Sequence, residues 1–286
     1  MFDQGREQIR YKVLGPFRAW RSAREIELGW AKQQAVLVVL LLEMNRSVPM
    51  HSIIDAVWGE HLPGDARSAV HTYISRLRRT LGIGDSPTDA GPSLVWTEAG
   101  YTLHGDPALL DLTVFEQRLA RASACQERAD LVEAANHINA ALALWRGEPF
   151  SGLTGPGIEA ERRRLYEYRV AALEQRAAIN VEVGRHNELI AELTLLVNTY
   201  PTHERLRALL MLALYRSGRQ TDALDLFQQT RQWLADEFGV EPGPELREAY
   251  QRILRGDTDP TGSGGGTRNG GDAAPRRRGA PTRRLP

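Results

Sequence analysis

The segment Asp65 to Leu81, DARSAVHTYISRLRRTL, constrains the fold most, because its spacing reads as an amphipathic helix with a cationic outer side. At 3.6 residues per turn, Val70, Ile74, Leu77 and Leu81 fall on one stripe. Ser68, Thr72, Ser75 and Arg79 fall opposite, flanked by His71 and Arg76. Asp65 stands where an N-cap accepts the orphan amide protons of a first turn, and Gly82 follows the last apolar residue as a stop. Arg67, Arg76, Arg78 and Arg79 contribute four positive charges, and the helix after Asp65 carries no carboxylate. One side packs; the other is free to meet phosphate.

The flanking sequence builds a unit around this helix. Lys32 to Glu43 (KQQAVLVVLLLE) reads as an apolar helix and Pro49 to Trp58 (PMHSIIDAVW) as a second, shorter one ended by Gly59, after which Pro63-Gly64 turns the chain into the arginine helix. Downstream, Leu94 to Thr97 and Tyr101 to His104 are β-prone runs joined by Glu98-Ala99-Gly100, the pattern of a hairpin. Upstream, Arg10 to Gly15, Phe17 to Trp20 and Glu25 to Leu28 read as three short strands. The order is small sheet, three helices, hairpin wing.

These residues resemble a known family. RYKVLGPFRAW, AKQQAVLVVLLL, IIDAVWGEHLP, SAVHTYISRLRRTLG and LVWTEAGYTL, in this order over Arg10 to Gly105, are similar to the winged-helix domain of the Streptomyces antibiotic regulatory proteins, itself similar to the OmpR/PhoB-type output domain. The resemblance implies that the helix Ala66 to Leu81 enters the major groove of double-stranded DNA, with Thr72 and Arg76 reaching base edges. A guanidinium can bind guanine O6 and N7 together, and a threonine methyl can pack on a thymine methyl. Tyr73, Ser75 and Arg78 match positions beside the DNA backbone, as does Ala69, which has no side-chain donor. Arg67, Ser68, His71 and Arg79 are further backbone candidates from the exposed side. In the wing, Thr97 and Tyr101 match residues that approach the minor groove or its phosphates. Glu98 stands where the commoner pattern has a basic residue.

After Asp106-Pro107 the strand signals stop and helical periodicity takes over. Helices are expected over Leu112–Ser123, Arg128–Trp145, Ile158–Glu182, His186–Tyr200, His203–Ser217, Thr221–Glu237 and Pro244–Leu254, with Gly147 to Gly157 as the long loop. Gly184-Arg185 recurs 34 residues later as Gly218-Arg219, each between two helical segments, which is the tetratricopeptide period. Such helix pairs stack because neither pair buries its apolar side alone. ALALWRGEPFSGL, ERRRLYEYRVAALEQRA and WLADEFGVEPGPELREAYQRIL extend the family resemblance into its bacterial transcriptional activation domain. The expected organisation is a winged-helix domain at 1–108, a tetratricopeptide-like domain at 109–256, and a Gly-, Pro- and Arg-rich tail at 257–286 that should be disordered. The fold class is mainly α with a small β component.

Composition narrows the function. The 286 residues carry 36 basic and 36 acidic side chains, so the chain as a whole is not a generally basic, non-specific binder. The lone Cys125 permits no internal disulfide, and no signal peptide or membrane-length apolar run is apparent, so a cytoplasmic, nucleoid-associated protein with no membrane partner is expected. His51, His61 and His71 lack metal-ligand spacing, Gly82-Ile83-Gly84 lacks a dinucleotide loop's remaining glycine, and no Walker motif occurs. No enzymatic role, metal or cofactor is expected, and the chain ends before the ATPase region of larger family members could fit. The resemblance implies an activator of secondary-metabolite (antibiotic) biosynthesis genes that binds direct repeats near promoters, self-associates there and recruits RNA polymerase. The alternatives are a repressor with the same DNA contacts and a helical-repeat protein-interaction adaptor.

Overall fold

A helix that is apolar on every side has to be surrounded, and Ala31–Leu42 (α1) is. The computed structural model describes residues 8–86 and 92–257. In it Ala35 to Val38, Leu40 and Leu41 are all buried, and α1 packs against Met50–Trp58 (α2), Ala66–Leu81 (α3) and elements on either side of them. Gln33 is the one buried polar side chain of α1, and its amide is satisfied by donating to the Leu28 carbonyl at 2.8 Å. Before α1 the strands Ile9–Lys12 (β1), Arg18–Arg21 (β2) and Arg24–Ile26 (β3) form an antiparallel sheet in the order β1-β2-β3.

A second sheet carries the wing. Ser93–Thr97 (β5) and Gly100–His104 (β6) pair antiparallel across the two-residue loop Glu98-Ala99, in register from Ser93↔His104 to Thr97↔Gly100. The two-residue strand Ser47–Val48 (β4) pairs on the other edge of β6. Its brevity hides it from any period-two pattern.

Helices dominate the rest. They are Asp111–Glu127 (α4), Leu131–Leu142 (α5), Pro156–Glu182 (α6), His186–Thr199 (α7), Glu204–Arg216 (α8), Gln220–Phe238 (α9) and Pro244–Arg255 (α10). The expected helix from Arg128 begins later, because Ala129 turns left-handed and Asp130 caps α5 by accepting from the Glu133 N–H. The pairs α4/α5, α6/α7 and α8/α9 turn alike. Asp130 N–H donates to Cys125 O at 2.9 Å, Arg185 N–H to Asn180 O at 3.0 Å and Arg219 N–H to Leu214 O at 2.9 Å. The residue before each donor has positive φ: Ala129 at 59°, Gly184 at 84° and Gly218 at 80°. The first of these turns therefore uses alanine where the other two use glycine, and glycine spacing alone misses it. Relieving the left-handed alanine, Ala129→Gly is expected to stabilise the chain by about 0.5–1 kcal/mol in a denaturant titration; an unchanged or lower midpoint would contradict this account.

The mainly α architecture with a small β component, a winged helix-turn-helix and then a tetratricopeptide-like stack, matches the expectation. One hydrophobic core nevertheless crosses the junction at the short 3₁₀ turn Pro107–Leu109, joining Val13, Leu37 and Leu77 to Leu112, Phe115, Phe150, Ile158 and Leu165. Buried Asp111 is its polar centre. Its carboxylate accepts from the Val13 N–H at 2.7 Å, the Leu14 N–H at 3.4 Å and Arg146 Nη2 at 2.5 Å. Burial pushes this carboxyl above its ordinary pKa while those donors pull it back. Nearby, Arg146 N–H donates to Leu14 O at 2.8 Å. Buried Arg162 fixes the 147–157 loop by donating to the carbonyls of Pro149, Phe150 and Leu153 at 2.9, 3.3 and 3.0 Å. That loop brings Gly155 against α2 so closely that a Cβ there would lie 2.7 Å from the Ala56 carbonyl oxygen. Residues from 258 onward lie outside the described residues, and with them all but the first residue of the expected tail.

Candidate nucleic-acid interface

Helix α3 is pinned at both ends. At its N-terminus the Asp65 carboxylate accepts from the Ser68 N–H at 2.9 Å and the Ser68 hydroxyl at 2.6 Å, and these bonds hold the carboxyl below its ordinary pKa. At its C-terminus Gly82 is left-handed, Ile83 N–H donates to Arg78 O at 3.0 Å and Arg21 Nη2 donates to Leu81 O at 2.5 Å. Val70, Ile74, Leu77 and Leu81 are buried.

Arg67, Ser68, His71, Thr72, Ser75, Arg76 and Arg79 are exposed, as the spacing requires. Among the described residues Arg67, Arg76 and Arg79 enter no salt bridge, so no carboxylate competes for their guanidinium groups. Thr72 Oγ1 donates back to Ser68 O at 2.8 Å, leaving its methyl group and an acceptor lone pair for a base. Ser68 contributes its hydroxyl to the cap, where it keeps acceptor capacity only.

Three expected backbone contacts sit differently. Tyr73 is half-buried with its ring stacked on Trp58, centroids 6.3 Å apart, because it borders the apolar stripe. Arg78 is also half-buried, and its Nε and Nη2 both donate to the Leu94 carbonyl at 2.9 and 2.7 Å, which ties α3 to β5 and leaves Nη1 for a phosphate. Tyr101 is a correction: it is 3% exposed, since strand alternation places it with Leu103 on the core face of β6. Its hydroxyl lies 2.6 Å from His71 Nδ1, and burial raises its pKa. Thr97 stays exposed at the wing tip, its hydroxyl donating to Gly100 O at 3.2 Å.

Sequence reasoning passed over Trp96. It pairs with Tyr101 across the hairpin and is 48% exposed beside α3. Alternation along β5 groups it with buried Leu94, and its exposure follows from the core ending between the two. Among the described residues no group of three or more His, Cys, Asp or Glu side chains is placed to hold a metal ion, and no helix is long and apolar enough to cross a membrane.

An exposed cationic helix seated on two others and flanked by a hairpin defines a winged helix-turn-helix DNA-binding domain, here continuous with a stack of helix pairs. Residues 24–97 match the family model "Transcriptional regulatory protein, C terminal", and residues 110–254 match "Bacterial transcriptional activator domain". Regulatory protein AfsR of Streptomyces griseus is 42% identical over 253 residues, covering 88% of this chain and 25% of that protein. Regulatory protein DnrI of Streptomyces peucetius is 34% identical over 253 residues, covering 87% of this chain and 93% of that protein. A solved structure of Mycobacterium tuberculosis EmbR in complex with a low affinity phosphopeptide superposes with a TM-score of 0.81 at 33% identity, over 87% of this chain and 65% of that one. The chain belongs to the Streptomyces antibiotic regulatory protein family of transcriptional regulators, and it spans about a quarter of the length of AfsR.

Proposed function

We propose that this chain is a sequence-specific transcriptional activator that lays α3 in the major groove and uses its helical stack to engage RNA polymerase. The observation that carries this reading is the row of exposed side chains on α3, with Arg67, Arg76 and Arg79 free of carboxylate partners among the described residues and Thr72 and Ser75 between them. Thr72 and Arg76 read base edges, while Arg67, Ser75 and Arg79 hold phosphates and set the register, Ser68 having given its hydroxyl proton to the Asp65 cap. One such helix spans too few base pairs to address a single promoter in a genome. Copies side by side on direct repeats supply the remaining specificity. The regulated genes are those of secondary-metabolite biosynthesis, as in the family's name, and the protein acts in the cytoplasm at the nucleoid.

The shared core supports the division of labour. A stack docked rigidly on α2 holds a fixed position relative to the DNA, so a polymerase bound to it would be delivered in one orientation.

Selection from random duplexes followed by mobility-shift titration tests the DNA reading. Arg76→Ala is expected to cost roughly 1–3 kcal/mol on the selected site and to relax discrimination at one base pair. An equal loss on every sequence would make Arg76 a phosphate contact instead. In vitro transcription with purified polymerase then separates activation from occlusion: output rises with added protein if the chain recruits polymerase, and falls if it represses.

A further inference from the structure

Three rings bridge α3 and the wing. His71 meets Tyr101 and Trp96 edge-on with centroids 5.9 and 6.0 Å apart, and Trp96 lies 4.7 Å from Tyr101. Leu94 and Trp96 share a face of β5, but Leu94 is buried and Trp96 lies beyond the edge of the core, so its indole overhangs the crevice between hairpin and helix. His71 stands one residue before Thr72 on the exposed side of α3.

The donor inventory of these rings is specific. The buried Tyr101 hydroxyl keeps its proton and can donate it to His71 Nδ1, in which case the neutral imidazole carries its own proton on Nε2. Trp96 offers one further donor at Nε1. Among the described residues neither His71 Nε2 nor Trp96 Nε1 has a hydrogen-bond partner.

We infer that His71 Nε2–H and Trp96 Nε1–H form a two-donor clamp for one phosphate of the DNA backbone, with Tyr101 as the positioning residue that fixes the imidazole. The clamp rests on the DNA-binding role proposed above. With α3 in the major groove and the wing at the adjacent minor groove, the strand between them passes this crevice. The indole N–H and the tyrosine hydroxyl carry no charge, so removing either disturbs register without changing counterion release. Glu98 at the wing tip favours this arrangement over deep insertion, because its charge opposes closer approach to phosphate.

The test uses the full chain on a duplex it selects. Trp96→Phe keeps an aromatic ring and removes the N–H, and Tyr101→Phe removes the hydroxyl that orients His71. Each is expected to weaken binding about tenfold with an unchanged salt slope, whereas Arg79→Ala should lower the slope by about one. A scan of single neutral methylphosphonates should find one position that costs the wild type about tenfold and costs Trp96→Phe clearly less, since only the His71 donor remains there. Indole emission should change on adding the duplex in the wild type more than in Trp96→Phe, and millimolar inorganic phosphate should not reproduce the change. Wild-type affinity in both variants, or a methylphosphonate penalty as large in Trp96→Phe as in the wild type, would overturn the clamp while leaving DNA binding intact. Failure of the wild type to bind any duplex would remove the DNA-binding role itself.

Discussion

Asp111→Ala is expected to lower stability by about 3 kcal/mol and the melting temperature by roughly 6–12 °C. The carboxylate is the common acceptor for two β1-side amides and one guanidinium, at a junction where water has little access. Alanine leaves the buried Val13 and Leu14 N–H groups facing a cavity and carrying their full desolvation cost, while the Arg146 guanidinium, partly exposed, loses its carboxylate partner. The damage should not be confined to one domain. Val13 belongs to the N-terminal sheet region and Arg146 to the approach to the 147–157 loop, so both sides of the junction lose their common anchor. Calorimetry would show a lower transition, split in two if the winged helix and the stack uncouple. A transition indistinguishable from wild type would mean that the shared core alone holds the junction.

Gly100→Ala is the second large effect. Its φ of 136° is one that side chains rarely adopt, and an added Cβ would stand 2.1 Å from the Val48 carbonyl oxygen and 2.8 Å from Pro49 Cα. Both obstacles are backbone, so relief requires β6 to move away from β4 and the start of α2. We expect a loss above about 3 kcal/mol, combining the clash with backbone strain, together with displacement of the wing and weakened duplex binding. Gly184→Ala is the control, since its φ of 84° is also positive but nothing lies within 4 Å of the added carbon. That variant should lose only about 1 kcal/mol. Equal losses in the two would show that conformation, rather than the β4 contact, governs Gly100.

The winged helix was legible where local chemistry decides structure. Asp65, Gly82 and the Val70–Ile74–Leu77–Leu81 stripe specify α3 without reference to anything distant, and the Glu98-Ala99-Gly100 connection between two β-prone runs specifies the hairpin. What stayed hidden depends on long-range contact. Asp111 meets Val13 across 98 residues, and no pattern near either one announces the other. Arg78 matches a backbone-contact position by its family resemblance, whereas the Leu94 carbonyl that takes two of its donors is not visible in sequence. Tyr101 and Trp96 are a simpler case. Both are wing aromatics, and only the register Trp96↔Tyr101, with the core ending between Leu94 and Trp96, determines which is buried and which is exposed.

The central claim is that the cationic side of α3 lies against a duplex, and the reversal Arg76→Glu with Arg79→Glu tests it directly. Both side chains are exposed and free of carboxylate partners among the described residues, so the melting temperature should stay within a few degrees of wild type. Affinity for the selected duplex, titrated at fixed moderate salt, should fall by more than about a hundredfold, because two attractions to phosphate and base become repulsions. Duplex binding within about twofold of wild type, by a chain that still melts normally, would contradict the account.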